Sequence, residues 1–212
     1  MRANFDTIYK MADGSFRKVK VKDQNNVGRD ILFIERNLNF IKPGGRMAIV
    51  LPQGRFNNSS DKDIREYLAD HCRILAVVGL HGNVFKPHTG TKTSVLFVQK
   101  WDDKLCPRMD DYPIFFATMK EPSKDNSGDK IFVKRKDLPV SETTENPPAE
   151  NGTAEAIDRY ITTPQDLNEF VLDAHEHLIV KHDLFNHDGL TQDGIAEAFV
   201  EFAKKEQLSF FL

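Results

Sequence analysis

Two short stretches of this chain carry side chains of the kind that hold a ligand. The first is Pro52-Gln53-Gly54-Arg55, which follows the apolar run Met47 to Leu51. In open α/β sheets ligands sit outside the carboxyl ends of strands, so Gln53 and Arg55 stand where an amide and a guanidinium would line a pocket. An ordinary structural turn is the competing reading. The second stretch is the loop His81 to Thr93, which gathers Phe85, Lys86, His88, Thr89, Thr91 and Lys92. Cations and hydroxyl donors in one loop suit phosphate oxygens. The competing reading is a solvated loop, with Phe85 folded back onto the sheet edge.

Other groups are weaker. Arg17, Lys18, Lys20 and Lys22 form one basic run, and Lys130, Lys134, Arg135 and Lys136 another. Such runs more often mark a solvated face than a binding track. His175, His177, His182 and His187 lie among Asp173, Glu176, Asp183 and Asp188. No two of these histidines are spaced i, i+4 on a helix to share a metal, so no metal site is expected. Cys72 and Cys106 lack metal-type spacing and read as structural thiols.

The elements that must position these residues follow from periodicity. Ile31, Ile34, Leu38 and Ile41 recur at helical spacing from about Arg29 to Ile41, with Asp30 as the expected cap. Lys42-Pro43-Gly44-Gly45 stops that helix, since proline lacks the donor and glycine allows the tight reversal. Met47 to Leu51 then reads as a strand buried on both faces. A second helix is expected over 61–72, capped by Ser60 or Asp61 and burying Ile64, Tyr67, Leu68 and Cys72. Ile74 to Leu80 and Ser94 to Lys100 are two further strands. The loop between them is too short for a parallel crossover, which predicts antiparallel neighbours.

Phe16 to Lys22 alternates as a half-exposed strand would, within an otherwise polar segment 1–28. Ile114 to Ala117 and Ile131 to Val133 are expected to pair, across a link ending in the Ser127-Gly128-Asp129 turn. Residues 139–153 are acidic, proline-bearing and nearly free of apolar side chains, and read as a linker. Beyond them a helical tail is expected. Thr163-Pro164 opens one helix with the stripe Leu167, Phe170, Val171 and Ala174. Another begins near Thr191 and lines up Ile195, Ala198, Phe199 and Phe202.

Composition sets the outer limits. A net charge of −3 excludes a globally basic nucleic-acid binder, though not a local basic groove. Two cysteines make no disulfide framework, and reduced thiols in a cytoplasmic protein are expected. No apolar run reaches the ~18 residues that span a bilayer, and the N-terminus lacks the apolar core of a signal peptide, so no membrane partner is expected.

From Asp30 to Trp101 the chain resembles the adenine-specific DNA methyltransferases of the type I restriction-modification M-subunit family. The residues that carry it are Asp30-Ile31-Leu32-Phe33-Ile34, Lys42-Pro43-Gly44-Gly45-Arg46, Ile49-Val50-Leu51-Pro52 and Ile64-Arg65-Glu66-Tyr67-Leu68. They continue through Ala76-Val77-Val78-Gly79-Leu80, Val84-Phe85-Lys86-Pro87-His88-Thr89-Gly90 and Lys92-Thr93-Ser94-Val95-Leu96-Phe97. Each piece is generic, and their order and spacing are the specific part. The resemblance implies an α/β fold: a Rossmann-like sheet whose antiparallel last strand is inserted beside its neighbour. The present strands would be the fifth, sixth and seventh, followed by C-terminal helices.

The resemblance also implies a function. S-adenosylmethionine would serve the parent enzyme, whose glycine-rich cofactor turn and catalytic Asn/Asp-Pro-Pro-aromatic motif both precede the Lys-Pro-Gly-Gly segment. Residues 1–41 carry neither. Asn146-Pro147-Pro148-Ala149 is no substitute, because alanine offers no ring and no buried strand delivers it. The chain therefore reads as the C-terminal part of a DNA methyltransferase, with no cofactor of its own and no activity alone. Phe85 matches the aromatic that family members present to the extruded adenine, Gln53 and Arg55 would line the base or cofactor pocket, and Lys86, His88, Thr89, Thr91 and Lys92 would meet DNA phosphates. The implied partners are DNA and the specificity and restriction subunits of a restriction-modification complex. The alternative is a non-catalytic interaction module that docks a specificity subunit through its C-terminal helices.

Overall fold

A computed structural model of the chain describes residues 6–10, 12–18, 28–137, 169–191 and 193–208. It divides into two compact units, one of residues 1–80, 91–118 and 201–212, the other of residues 81–90 and 119–200.

In the first unit, β1 (Asp6–Lys10) and β2 (Phe16–Lys18) form an antiparallel pair within the segment that sequence patterning left largely irregular. The turn between them is held by Asp13, whose carboxylate accepts from the Ser15 amide at 2.9 Å and hydroxyl at 2.6 Å. The main sheet has four strands: β3 (Arg46–Pro52), β4 (Cys72–Gly79), β5 (Thr93–Lys100) and β6 (Phe115–Thr118). Their spatial order is β3-β5-β4-β6. Strand β5 runs antiparallel to both neighbours, with Val95 opposite Val50 on one side and Val78 on the other, so β3 and β4 run parallel. Strand β6 is parallel to β4. The antiparallel pairing expected from the short loop is present, and β5 lies between the two strands that precede it.

Three helices of this unit are α1 (Arg29–Phe40), the single turn α2 (Gly54–Asn57) and α3 (Lys62–His71). Ile34 and Leu38 of α1 and Ile64, Tyr67 and Leu68 of α3 bury against Leu51, Cys72, Leu96 and Val98 of the sheet. These are the positions that helical spacing singled out. A second core cluster joins Leu75 and Phe97 to Phe202, Ala203 and Leu208, near the end of α4 (Ile195–Lys205). The Phe115 and Phe202 rings lie 5.6 Å apart.

The Lys-Pro-Gly-Gly turn is anchored from β5. The Gly44 amide donates to the Lys100 carbonyl at 3.1 Å, and the Lys100 amide to the Gly45 carbonyl at 2.8 Å. The buried Gln99 side chain donates to the Gly44 carbonyl at 3.0 Å. The Lys100 ammonium donates to the Leu38 and Ile41 carbonyls at 2.9 and 3.1 Å, which places a cation at the negative end of α1. Gly44 has φ +73, and a β-carbon there would sit 2.7 Å from the Leu105 side chain.

Several expectations differ from what is found. Strand β3 is not buried on both faces: Arg46, Ala48, Val50 and Pro52 are exposed, and Val50 reaches 46%. The reason is one-sided cover, because α1 and α3 pack with the face that carries Met47, Ile49 and Leu51. Asp30 does not cap α1; Gly28 stands at that position and no side chain caps it. Asp61 stands at the start of α3, again without a side-chain cap bond. Both carboxylates instead hold Arg55. The segment Ile114 to Ala117 does not pair with Ile131 to Val133; β6 joins β4, and Phe132 bridges Val180.

In the second unit, bridges Lys134↔Phe170, Phe132↔Val180 and Leu172↔Leu178 bring extended segments together, with Val133 and Ile179 buried. The helix expected from Thr163-Pro164 does not continue through Val171 and Ala174. Asp173 turns the chain there, accepting from the amides of His175 and His177 at 2.8 and 2.9 Å. Its opening residues and the linker 139–153 fall outside the described residues.

Gly44→Ala is expected to destabilise the chain by more than ~1 kcal/mol, because it combines a left-handed φ with a clash at Leu105. Urea unfolding followed by far-ultraviolet circular dichroism measures this.

Candidate functional site

The parallel strands β3, β4 and β6 end on one margin of the sheet, at Pro52, Gly79 and Thr118, and the antiparallel β5 begins there at Thr93. A cleft of about 370 Å³ opens at this margin. Gln53, Phe56 and Asn57 line one side, from the turn after β3. Phe116, Ala117 and Thr118 of β6 line the other, with Val77, Gly79 and Ser94 between. Every one of these side chains is uncharged.

The turn after β3 is fixed by backbone bonds. The Gln53 amide donates to the Lys92 carbonyl at 3.0 Å, and the Phe56 and Asn58 amides donate to the Gln53 and Gly54 carbonyls at 3.0 and 2.9 Å. The neighbouring strand ends are tied by the Leu80 amide, which donates to the Thr93 carbonyl at 2.9 Å. At Gly79 a β-carbon would stand 3.1 Å from the Thr118 hydroxyl, so a side chain there would press on the Thr118 side chain.

Gln53 and Arg55, expected side by side in a pocket, part company. Gln53 lines the cleft. Arg55 does not; its Nε and Nη2 donate to Asp30 at 2.6 and 3.2 Å, and its Nη1 donates to Asp61 at 2.8 Å. Hydrogen bonding to Asp30, the largest influence, raises the guanidinium's already high pKa. Arg55 is thereby a tie between α1 and the start of α3. Arg65 adds a second tie, donating to the Asn58 carbonyl at 2.8 Å.

Of the loop residues, Thr91 and Lys92 belong to the first unit, and Phe85, Lys86, His88 and Thr89 to the second. All but Lys86 are exposed, Phe85 at 36%. Successive turns shape this loop: the Val84 amide donates to the His81 carbonyl, Lys86 to Asn83 and Thr89 to Phe85, at 3.0 to 3.1 Å. Lys86 is engaged within its own unit, its ammonium donating to the Asn126 carbonyl at 3.3 Å. Lys124 returns a bond to the Lys86 carbonyl at 3.2 Å, and the Asn83 side chain donates to the Lys124 carbonyl at 3.0 Å. Gly128, at φ +104, lies against Pro87, where a β-carbon would come within 2.6 Å. The Ser127-Gly128-Asp129 turn hangs on Asp125, whose carboxylate accepts from all three amides at 2.8 to 3.0 Å. The backbone bond from Asp129, the largest influence, together with those from Gly128 and Ser127, holds the Asp125 pKa below its ordinary 3.8.

Among the described residues no cluster of three or more His, Cys, Asp or Glu could hold a metal. His187 and His182 instead pair with Asp183 at 2.9 Å and Asp193 at 3.3 Å. Burial pushes the Cys72 thiol up to about 12 and raises Cys106 as well, which disfavours the thiolate at both. No described helix is long and apolar enough to cross a membrane. Sequence reasoning missed Phe116, which is 70% exposed at the cleft. The available signal was the pair Phe115-Phe116, because adjacent residues of a strand point to opposite faces.

The family model for N-6 DNA methylases matches residues 4–183 of the chain. The methylase subunit of the Escherichia coli type I restriction enzyme EcoEI is 36% identical over 70 residues, covering 32% of this chain and 14% of that protein. The EcoKI methylase subunit of E. coli K12 is 33% identical over 73 residues, covering 34% of this chain and again 14% of the relative. The matched stretch is thus a small part of these relatives' length. Among solved structures, a Listeria monocytogenes protein assigned to the class I S-adenosylmethionine-dependent methyltransferases overlaps with a TM-score of 0.37 at 23% identity, over 42% of this chain and 26% of its own. A modification subunit of a type I restriction enzyme from Vibrio vulnificus YJ016 overlaps with a TM-score of 0.31 at 20% identity, over 49% of this chain and 23% of its own.

The cleft does not fit S-adenosylmethionine. Nucleotide-type cofactors are held in such sheets by a glycine-rich turn that opens a helix and by a carboxylate on the ribose hydroxyls. Neither is present among the lining residues.

Replacing Arg55 by methionine should cost about 1–3 kcal/mol, since it strands the buried Asp61 carboxylate, and thermal unfolding reads this. For Asp125, the sign follows from its lowered pKa. The turn's stabilisation is complete above 3.8 and lost as pH falls through the lower folded value. Carboxyl-detected NMR should place that midpoint below 3.8, with the Ser127 to Asp129 amides losing protection in step.

Proposed function

Since the chain belongs to the N-6 DNA methylase family, we propose that it is the C-terminal part of an adenine-specific DNA methyltransferase, a modification subunit of a type I restriction system, and supplies one margin of its sheet. The observation that carries this reading is the strand order. Strand β5 lies antiparallel between the parallel β3 and β4, the arrangement implied for the fifth, seventh and sixth strands of the parent sheet. The outer edge of β3, unpaired among the described residues, is where further parallel strands would add. Those strands would carry S-adenosylmethionine and the catalytic Asn or Asp.

In that assembly the target adenine leaves the duplex, because its amine is out of reach inside the stack. Phe85 supplies the aromatic face for the extruded ring, a contact worth ~1–3 kcal/mol. His88, Thr89, Thr91 and Lys92 meet the phosphates, and Lys86 joins them by releasing the Asn126 carbonyl. Gln53 lines the cleft at the strand ends, and Arg55 supports the turn that carries it. DNA, a specificity subunit and a restriction subunit are the partners this reading assigns.

A second reading, docking of a specificity subunit by the C-terminal residues, is favoured by Phe185, which stands 53% exposed. Phe202, Ala203 and Leu208 serve the sheet instead, so tail deletion would damage the core. Phe185→Asp is the cleaner probe, expected to weaken capture of the specificity subunit if the tail docks it and to leave capture unchanged if the tail only covers the fold.

Calorimetric titration with S-adenosylmethionine tests the main reading. The chain alone should show no saturable binding, and micromolar affinity would contradict the assignment of cofactor and catalytic motifs to other strands.

A further inference from the structure

We propose that the cleft at the ends of β3, β4 and β6 is a second nucleobase site, distinct from the contact at Phe85, which takes an unpaired base other than the one being methylated. The proposal rests on the DNA methyltransferase reading for its biological sense, and its geometry stands on the first unit alone.

Four observations converge on an uncharged heteroaromatic ring. No Asp, Glu, Lys, Arg or His lines the cleft, which makes it a poor host for phosphate or a metal ion. Phe116 presents its ring from β6 at 70% exposure, while its neighbour Phe115 packs on Phe202. Such a face stacks on any base, since every base has a π-surface. Across the cleft, the exposed amides of Gln53 and Asn57 lie four residues apart around the single turn of α2, on one face of it. Neither side-chain amide has a hydrogen-bond partner among the described residues. A primary amide offers a donor and an acceptor side by side, the pattern that pairs with N6 and N7 of adenine.

Size and place agree. About 370 Å³ lies at the lower end of the range for small-ligand pockets. The site occupies the carboxyl ends of parallel strands, where such sheets bind ligands. One wall therefore offers a stacking surface and the other an edge reader. That division of labour describes base recognition better than it describes a peptide side chain, which would not use both amides of the reading wall.

NMR titration of the full chain with adenosine, and separately with inorganic phosphate, tests this. Adenosine should shift the Gln53 and Asn57 side-chain amides and the Thr118 backbone amide saturably, and phosphate should not. Phe116→Ala, at an exposed position, should weaken adenosine about fivefold or more. Gln53→Ala provides a second variant if the first perturbs β6. Unmoved cleft signals at about 10 mM adenosine, or equal affinity in both variants, would overturn the site. The S-adenosylmethionine titration on the same sample separates the two readings. No cofactor binding while adenosine also fails removes this site and keeps the methyltransferase reading; adenosine in the cleft of a chain that binds S-adenosylmethionine with micromolar affinity keeps the site and removes that reading.

Discussion

The return of β5 between β3 and β4 is the constraint on which the rest of the structure depends. The connection from Gly79 to Thr93 contains turns and no helix, so the chain cannot cross over to a parallel position. It reverses and enters the gap between two strands already parallel to each other. Every backbone group along both sides of β5 is then available for pairing, and its side chains Leu96 and Val98 become the centre of the main core. An edge strand in the same place would leave β3 and β4 without a shared partner.

That insertion also explains the composition of the Lys-Pro-Gly-Gly turn without invoking catalysis. Gln99 and Lys100, the last residues of β5, reach the turn and the end of α1. Gly44 and Gly45 allow that approach because a side chain at either position would meet Leu105 or Ile41. At the opposite end of β5, Thr93 and Ser94 stand beside Pro52 and Gly79, and Ser94 and Gly79 line the cleft there. One strand thus locks the helix at one end and frames the candidate site at the other.

The main elements were legible because their signals are local. The stripes of α1 and α3 and the apolar runs of β4 and β5 each sit within a dozen residues or so, and the folded chain buries the same side chains. What escaped was long-range. Asp30 has the residue type and position of a cap, yet its partner Arg55 lies 25 residues away, and the ion pair takes the carboxylate. Leu167, Phe170, Val171 and Ala174 have helical spacing, but Asp173 captures two amides and Leu172 bridges Leu178, so the helix does not run through Phe170 to Ala174. In the site, Gln53 was legible from its place after a strand. Phe116 was not, because which of two adjacent phenylalanines faces the cleft depends on the register of β6 against β4.

The central proposal is that further strands add at the outer edge of β3, which among the described residues pairs only with β5. Hydrogen exchange along Arg46–Pro52 tests it most directly. Amides of β3 directed at β5 should be strongly protected and the alternating ones fast, giving a period of two along the strand. Uniform protection of all these amides in the isolated chain would mean that β3 already has a partner on its outer side, and the account of a shared sheet would be wrong.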